Sequence, residues 1–439
     1  MVTFLHTADW QLGMTRRWLE PEAQARFDDD RVQAIRRAGV VAREQGCDFV
    51  VVAGDVFEHH QLRQATVRRA LEAMGEIALP VYLLPGNHDP LDVVSLYRQE
   101  RFVRHCPDNV VVLDEVGPYP VADGVQIVAA PWRGKHPEED LVSSALAAVP
   151  PPPAGTLRIV VGHGGADLLD PHGSRPCTID IANLRAARDR DEVHYVALGD
   201  RHSRTDVGGY GFVWYSGAIE VTDSREQTPG DVLVVSLSAD RAPVVQPHHV
   251  GAWTFEEVHW DLTCGEDVTA VVDELASRPS KERVVLTLRL RGALALADYT
   301  RLQRALEEYS TVFAGLREWD HHRDLVLLPR DAEWDELGLS GFVAEAMSEI
   351  RGLSTQESTG RAPTAQKPAD QKPAERSQTV DEFPRDQLTR PVDAHRLAAA
   401  DRSPAASRPW SARHDREDDA QSARDALALL YRLSGAGQR

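Results

Sequence analysis

Four cysteines in 439 residues, none in CxxC spacing, leave no basis for a structural zinc site or a disulfide framework. Cys47, Cys106, Cys177 and Cys264 read as reduced, mostly buried thiols of a cytoplasmic protein. Long apolar runs are missing too. The longest are strand-sized, such as Phe49 to Ala53, so nothing reads as a bilayer span. Met1 to His6 lacks the basic start and apolar core of a secretory leader and reads as a strand. There is no excess of basic charge: 49 Lys+Arg against 68 Asp+Glu gives a net charge of −19. That excludes a DNA-binding coat over the whole surface, though not a local basic patch or a carboxylate site neutralised by metal ions. No GxxxxGK[ST] phosphate loop occurs, so any ATP-driven step must come from another protein. Nor do aromatic and basic residues interleave as in a base-stacking platform.

What is present is enough chain for two or three domains. Residues 1–250 alternate β-rich runs with helical stretches. Strands are expected at 4–8, 49–53, 81–84, 126–130, 157–161, 195–198, 211–215 and 232–237, with helices at 23–45 and 65–77. This order is that of an α/β domain. Residues 251–332 read β-α-β-α-β, a separate α+β domain whose last strand is 325–328. An amphipathic helix is expected at 333–353. From 354 to 419 Pro, Ala, Gln, Ser and charged residues dominate, the composition of a flexible linker. At 420–439 helical patterning returns, with Leu427, Leu430 and Tyr431 on one face. Such a lone helix needs its own domain or a partner to bury that face.

Five short motifs follow apolar strands in the first domain: Asp9-Trp10-Gln11, Gly54-Asp55, Gly86-Asn87-His88-Asp89, Gly162-His163 and Gly199-Asp200-Arg201-His202. Strand-exit loops of an α/β sheet converge at its carboxyl edge, where ligands bind. Any one motif alone is an ordinary turn. Five of them, rich in Asp, Asn and His and all on strand exits, point to a metal site.

The motif order resembles the calcineurin-like metallophosphoesterases. His6 to Gly13, Gly54-Asp55-Val56-Phe57 and Tyr215-Ser216-Gly217-Ala218 are similar to the SbcD-type DNA exonucleases within that superfamily. The resemblance implies a four-layer β-sandwich flanked by helices, with the smaller α+β unit as a capping domain and a flexible C-terminal tail. It implies a first metal held by Asp9, Gln11, Asp55 and His202, and a second by Asp55, Asn87, His163 and Asp200. Asp55 would bridge a pair about 3.5–4 Å apart, and water activated there would attack, with no Ser or Cys nucleophile. His88 would serve the leaving oxygen as general acid, and Asp89 would orient His88 or its loop. The implied function is a DNA exonuclease, with endonuclease activity as a further capacity, in repair and recombination at the nucleoid. The implied partners are DNA without sequence preference, an SbcC-like, SMC-type ATPase and a second copy of the chain. The 333–353 or 420–439 helix would dock the ATPase.

Two positions depart from the family pattern. Gln11 and Asp200 stand where histidines are usual, so one nitrogen ligand is lost from each metal. The harder oxygen set favours two manganese ions, magnesium next, over zinc. Candidate phosphate contacts are Arg16, Arg17, Arg133 and Arg201, with Lys135 and Arg204 nearby, since such loop cations hold phosphates without reading sequence. His59 and His60 are candidates to line the cleft. Two further readings stay open: a phosphoesterase of nucleotides or small phosphodiesters, and a non-catalytic scaffold for DNA ends or an ATPase.

Overall fold

The structure is a computed structural model, and it describes residues 1–169, 176–319 and 324–328. The chain divides into two compact units, Met1–Val326 and Leu327–Arg439, and all described residues except 327 and 328 belong to the first. The expected helices at 333–353 and 420–439 and the linker between them lie outside the described residues.

In chain order the first domain contains β1 (Val2–Thr7), α1 (Pro21–Glu44), β2 (Phe49–Val52), α2 (Gln64–Gly75), β3 (Val81–Leu83), α3 (Glu100–Val103), β4 (Val110–Val112), β5 (Pro118–Ala122), β6 (Val125–Ala129), α4 (Leu141–Ala148), β7 (Leu157–His163), α5 (Ile181–Asp189), β8 (Tyr195–Gly199), β9 (Thr205–Asp206), β10 (Val213–Tyr215), β11 (Asp231–Ser238) and β12 (Arg241–His249). They form two six-stranded sheets, ordered β12-β11-β1-β2-β3-β4 and β5-β6-β7-β8-β10-β9. Phe4, Phe49 and Tyr82 of the first sheet meet Ile127, Ile159 and Tyr195 of the second in one core. On its other face the first sheet packs Leu5, Val50 and Val52 under α1 and α2. The second sheet packs Val160 and Val196 under α4 and α5. This is the expected four-layer arrangement. Strands buried on both faces are largely apolar, so β2 and β8 appear in the sequence as unbroken runs, while β1 is interrupted by Thr3 and His6 and β7 by Arg158.

Within each sheet the central strands are parallel: β1-β2-β3-β4 in one, β6-β7-β8-β10 in the other. Parallel pairing sends their carboxyl ends to the same edge, and all five motifs lie there. Across the core, His6 Nδ1 lies 3.0 Å from the Tyr195 hydroxyl and Nε2 lies 3.3 Å from the Leu198 carbonyl. Burial drives its pKa down to about 3, against the pull of the Leu198 carbonyl, so His6 is a neutral strut between sheets.

The second domain has β13 (Thr254–Leu262), α6 (Gly265–Ser277), β14 (Val284–Ala295), α7 (Leu296–Ser310), β15 (Gly315–Glu318) and β16 (Asp324–Leu328). The expected 325–328 strand is present as β16, and a strand the sequence did not signal, β15, lies before it and is the third parallel strand of the sheet. The domain is locked to the first through an aromatic seam in which Phe27 packs against Trp253 and Phe255. At the centre of that seam lies buried Asp30 of α1, which accepts Trp253 Nε1–H at 2.9 Å and Arg283 Nε–H at 2.8 Å. Removing this carboxylate leaves a buried indole N–H without its acceptor. Asp30→Ala is expected to lower the unfolding free energy by about 2 kcal/mol in urea titrations, whereas a change below about 0.5 kcal/mol would mean the seam does not rely on it.

Candidate metal centre

Each motif residue reaches the site because the chain turns sharply at the end of its strand. Asp9 (φ 51°), Gln11 (φ 44°), Asp55 (φ 52°) and Asp200 (φ 95°) all sit at positive φ, half of the eight non-glycine residues that do so among the described residues. Left-handed backbone at such residues costs about 1–3 kcal/mol each, and its concentration at one spot marks a site held in place by its surroundings. Two backbone hydrogen bonds fix the first pair of loops: Asp9 N–H to the Gly54 carbonyl at 3.1 Å and Gln11 N–H to the Asp55 carbonyl at 2.9 Å. Two glycines make room. A Cβ on Gly54 would enter the His163 ring, and one on Gly199 would strike the Ala53 carbonyl.

The side chains meet at the centre. Ligand atoms of Asp9, Asp55 and His163 lie within 4.8 Å of one another, and all three residues are buried. His163 Nδ1 faces the Ala53 carbonyl at 2.9 Å, which leaves Nε2 pointing inward. That Nε2 lies 2.7 Å from Asn87 Oδ1, 3.4 Å from Asp55 Oδ1 and 3.8 Å from Asp200 Oδ1. The Asp200 N–H donates to both Asp9 oxygens, at 3.1 and 3.2 Å. On the other flank Gln11 Nε2 lies 3.0 Å from His202 Nε2. His202 Nδ1 lies 2.8 Å from Thr222 Oγ1 and 2.7 Å from Glu226 Oε1. The structure thus gathers all seven expected ligands.

The donor set fits divalent cations. Gln11 Oε1 is buried with no hydrogen-bond partner, as a carbonyl oxygen intended for a cation would be. Burial pushes the Asp9 carboxyl up to about 7, although His202 and His163 oppose this. Burial disfavours charge on His163, but Asp55, Asp9 and Asp200 outweigh it and hold the imidazolium well above its usual range. Burial also raises Asp55, yet His163 and His88 bring it below the ordinary carboxylate value. Carboxylates crowded in a buried pocket call for positive charge there.

His88 opens onto a cleft of about 920 Å³ lined also by Glu58, Asn87, Trp132, Lys135, His136 and Asp200. Its N–H donates to Asp55 Oδ1 at 2.9 Å. Its ring Nδ1 faces the Glu58 carbonyl at 3.1 Å, with the Glu58 carboxylate 3.8 Å away. Asp89 does not touch the His88 ring. It is fully buried and accepts from Gly86 N–H, Phe57 N–H and the Tyr97 hydroxyl, which ties it to its own loop and to the Asp55 loop.

The expected cations are arranged differently from the ligands. Arg16 donates to the Thr222 carbonyl, Arg133 to the Asp114 carbonyl and Arg201 to Thr205 Oγ1, while Arg204 pairs with Asp231. Arg17 is exposed. Lys135 is the one of these that lines the cleft, and His136 beside it was not expected from sequence. His60 is buried between Leu96 N–H and Asp92, and His59 accepts the Gln61 N–H, so both are accounted for by local structure. Glu58 and Glu226, each against a site histidine, lie outside the motif residues singled out in the sequence. Glu58 sits three residues after Asp55, and that spacing was its only available signal.

Asp9 and His163 keep protons in the metal-free fold that an unfolded chain gives up, Asp9 from its ordinary range up to about 7 and His163 from above 6.5. The stability these protons contribute is complete at low pH and is lost as pH rises through the folded values. A bound cation must displace them. The rise in Tm caused by manganese is therefore expected to be larger at about pH 8 than at about pH 6 by calorimetry. A gain independent of pH would contradict this arrangement.

Among the described residues no helix is long and apolar enough to cross a membrane. Residues 2–204 match the family model described as calcineurin-like phosphoesterase. The chain is 26% identical over 242 residues to a DNA double-strand break repair protein Mre11 of Archaeoglobus fulgidus, and the match covers 51% of each chain. It therefore spans about half the length of that curated relative. Among solved structures it is similar to TT1561 of Thermus thermophilus (11% identity, TM-score 0.37, 57% of this chain and 99% of that one). It is also similar to a dimetal phosphatase from Danio rerio (15% identity, TM-score 0.35, 57% and 96%). The family match takes in all five motifs and strands β1 to β8, so residues 2–204 carry a calcineurin-like phosphoesterase domain.

Proposed function

We propose that the chain is a two-metal DNA nuclease, an SbcD-like exonuclease that also cuts internally, acting in DNA repair and recombination in the cytoplasm at the nucleoid. Its partners in this reading are an SbcC-like, SMC-type ATPase and a second copy of the chain. The observation that carries the reading is the gathering of Asn87, Asp200, Gln11 and His202 around the buried group of Asp9, Asp55 and His163, beside an open cleft. The likeness to an archaeal break-repair protein supports DNA as the substrate.

In this reading Asp9, Gln11 Oε1, Asp55 and His202 Nε2 would hold one ion, and Asp55, Asn87 Oδ1, His163 Nε2 and Asp200 would hold the other. Two divalent ions, manganese before magnesium, would supply activated water and stabilise the charge that develops on the phosphodiester. The remaining work falls to the protein. The Glu58 carbonyl fixes His88 by its Nδ1, leaving Nε2 directed toward Asp55 at 3.9 Å and able to deliver a proton to the leaving oxygen. Asp89 keeps that loop from moving. Lys135 and His136 at the cleft hold neighbouring phosphates. Arg16, Arg17, Arg133 and Arg201 contribute only through a longer DNA path, since three of them already donate to protein oxygens.

The test is degradation of end-labelled linear duplex DNA with manganese or with EDTA, using wild type, Asp55→Ala and His88→Ala. Cleavage is expected with manganese alone, absent in Asp55→Ala, and reduced roughly 10²–10⁴-fold in His88→Ala. If wild type spares DNA but hydrolyses a chromogenic phosphodiester, the substrate is a small phosphoester. If it binds DNA and hydrolyses neither, the chain is a scaffold.

A further inference from the structure

We propose that Glu226 is the positioning residue that makes His202 a metal ligand. The inference rests on the two-metal reading above. His202 is the last motif residue, on a loop rather than a strand, and its ring would be free to turn about χ2 without an anchor. Glu226 provides one. Its side chain is 7% exposed, with Oε1 2.7 Å from His202 Nδ1. The carboxylate is itself fixed: Oε2 accepts Thr222 N–H at 2.8 Å, and Oε1 accepts the Thr222 hydroxyl. The segment that carries it is tied to the His202 loop by Gln227 N–H on Ser203 Oγ at 2.9 Å and by Ala218 N–H on the His202 carbonyl at 3.0 Å.

The chemistry follows from what each atom can do. A carboxylate only accepts, so Nδ1 of His202 must carry the proton. The lone pair is then on Nε2, which faces Gln11 on the site side. With Nδ1–H held by an anion, Nε2 is also a better donor to a cation. At the other position His163 has its Nδ1 on a main-chain carbonyl, that of Ala53. The two histidines are thus anchored by different means, and removing the Glu226 charge acts on one position alone.

The test is manganese titration of the full chain by calorimetry, with electron paramagnetic resonance reading the coupling between two bound ions. Wild type is expected to bind two. Glu226→Gln is isosteric and uncharged, and is expected to weaken one position roughly 10–100-fold while leaving the other unchanged, with spin coupling lost at limiting metal. Glu226→Asp keeps the charge but ends one methylene short, and is expected to weaken the same position. It serves as the second variant if Glu226→Gln folds poorly. The Tm of both in EDTA is expected to stay close to wild type. Two ions bound by Glu226→Gln with wild-type affinity overturns the proposal and leaves the two-metal reading standing. Equal weakening of both positions with a large loss of Tm in EDTA makes Glu226 a structural residue and overturns it as well. Fewer than two ions in wild type overturns the reading beneath it.

Discussion

Buried like charge at the meeting of two sheets is the constraint around which the rest of the first domain is arranged. Asp9 and Asp55 are out of water and close together, and Asp200 approaches from the rim. Carboxylates do not gather in that way without positive charge to answer them. His163 and His202 supply some of it, since the surrounding carboxylates raise the proton affinity of both imidazoles against their burial. The strained turns at Asp9, Gln11, Asp55 and Asp200 and the glycines that let backbone and ring approach are what the fold accepts in order to bring these groups together. The parallel central strands make that possible by ending at one edge.

Much of this could be seen in the sequence. Strands buried on both faces leave apolar runs, and the ligands come directly after them, so the pattern of run, turn and ligand was visible five times over. The edge strands were not. β5 alternates half-exposed and exposed residues and contains two prolines, and β12 faces solvent along most of its length. Short helices such as α4 and α5 carry too few periodic positions to stand out, although Asp140 and Asp180 cap them as expected of helix starts. In the second domain, β15 has no fully buried residue to mark it.

The site divided along the same line. A candidate ligand was legible because its type and its place after a strand both mattered. A residue that acts on a ligand was not, because its contact exists only once the chain has folded. Glu226 lies 24 residues from His202. The arginines show the converse: charge near a motif was easy to see, but the carbonyls that occupy Arg16 and Arg133 were not. Gln11 and Asp200 are the instructive substitutions. Both put an oxygen where the family pattern has a nitrogen, and both sit on positive-φ backbone, Gln11 buried and Asp200 at the rim.

The central claim is that these groups bracket a pair of divalent ions. Anomalous scattering from manganese-soaked crystals tests it most directly. Two peaks about 3.5–4 Å apart, with Asp55 between them, Asp9 and His202 on one and Asn87 and His163 on the other, are predicted. No peak at this point, or a single ion without Asp55 among its ligands, would contradict the account.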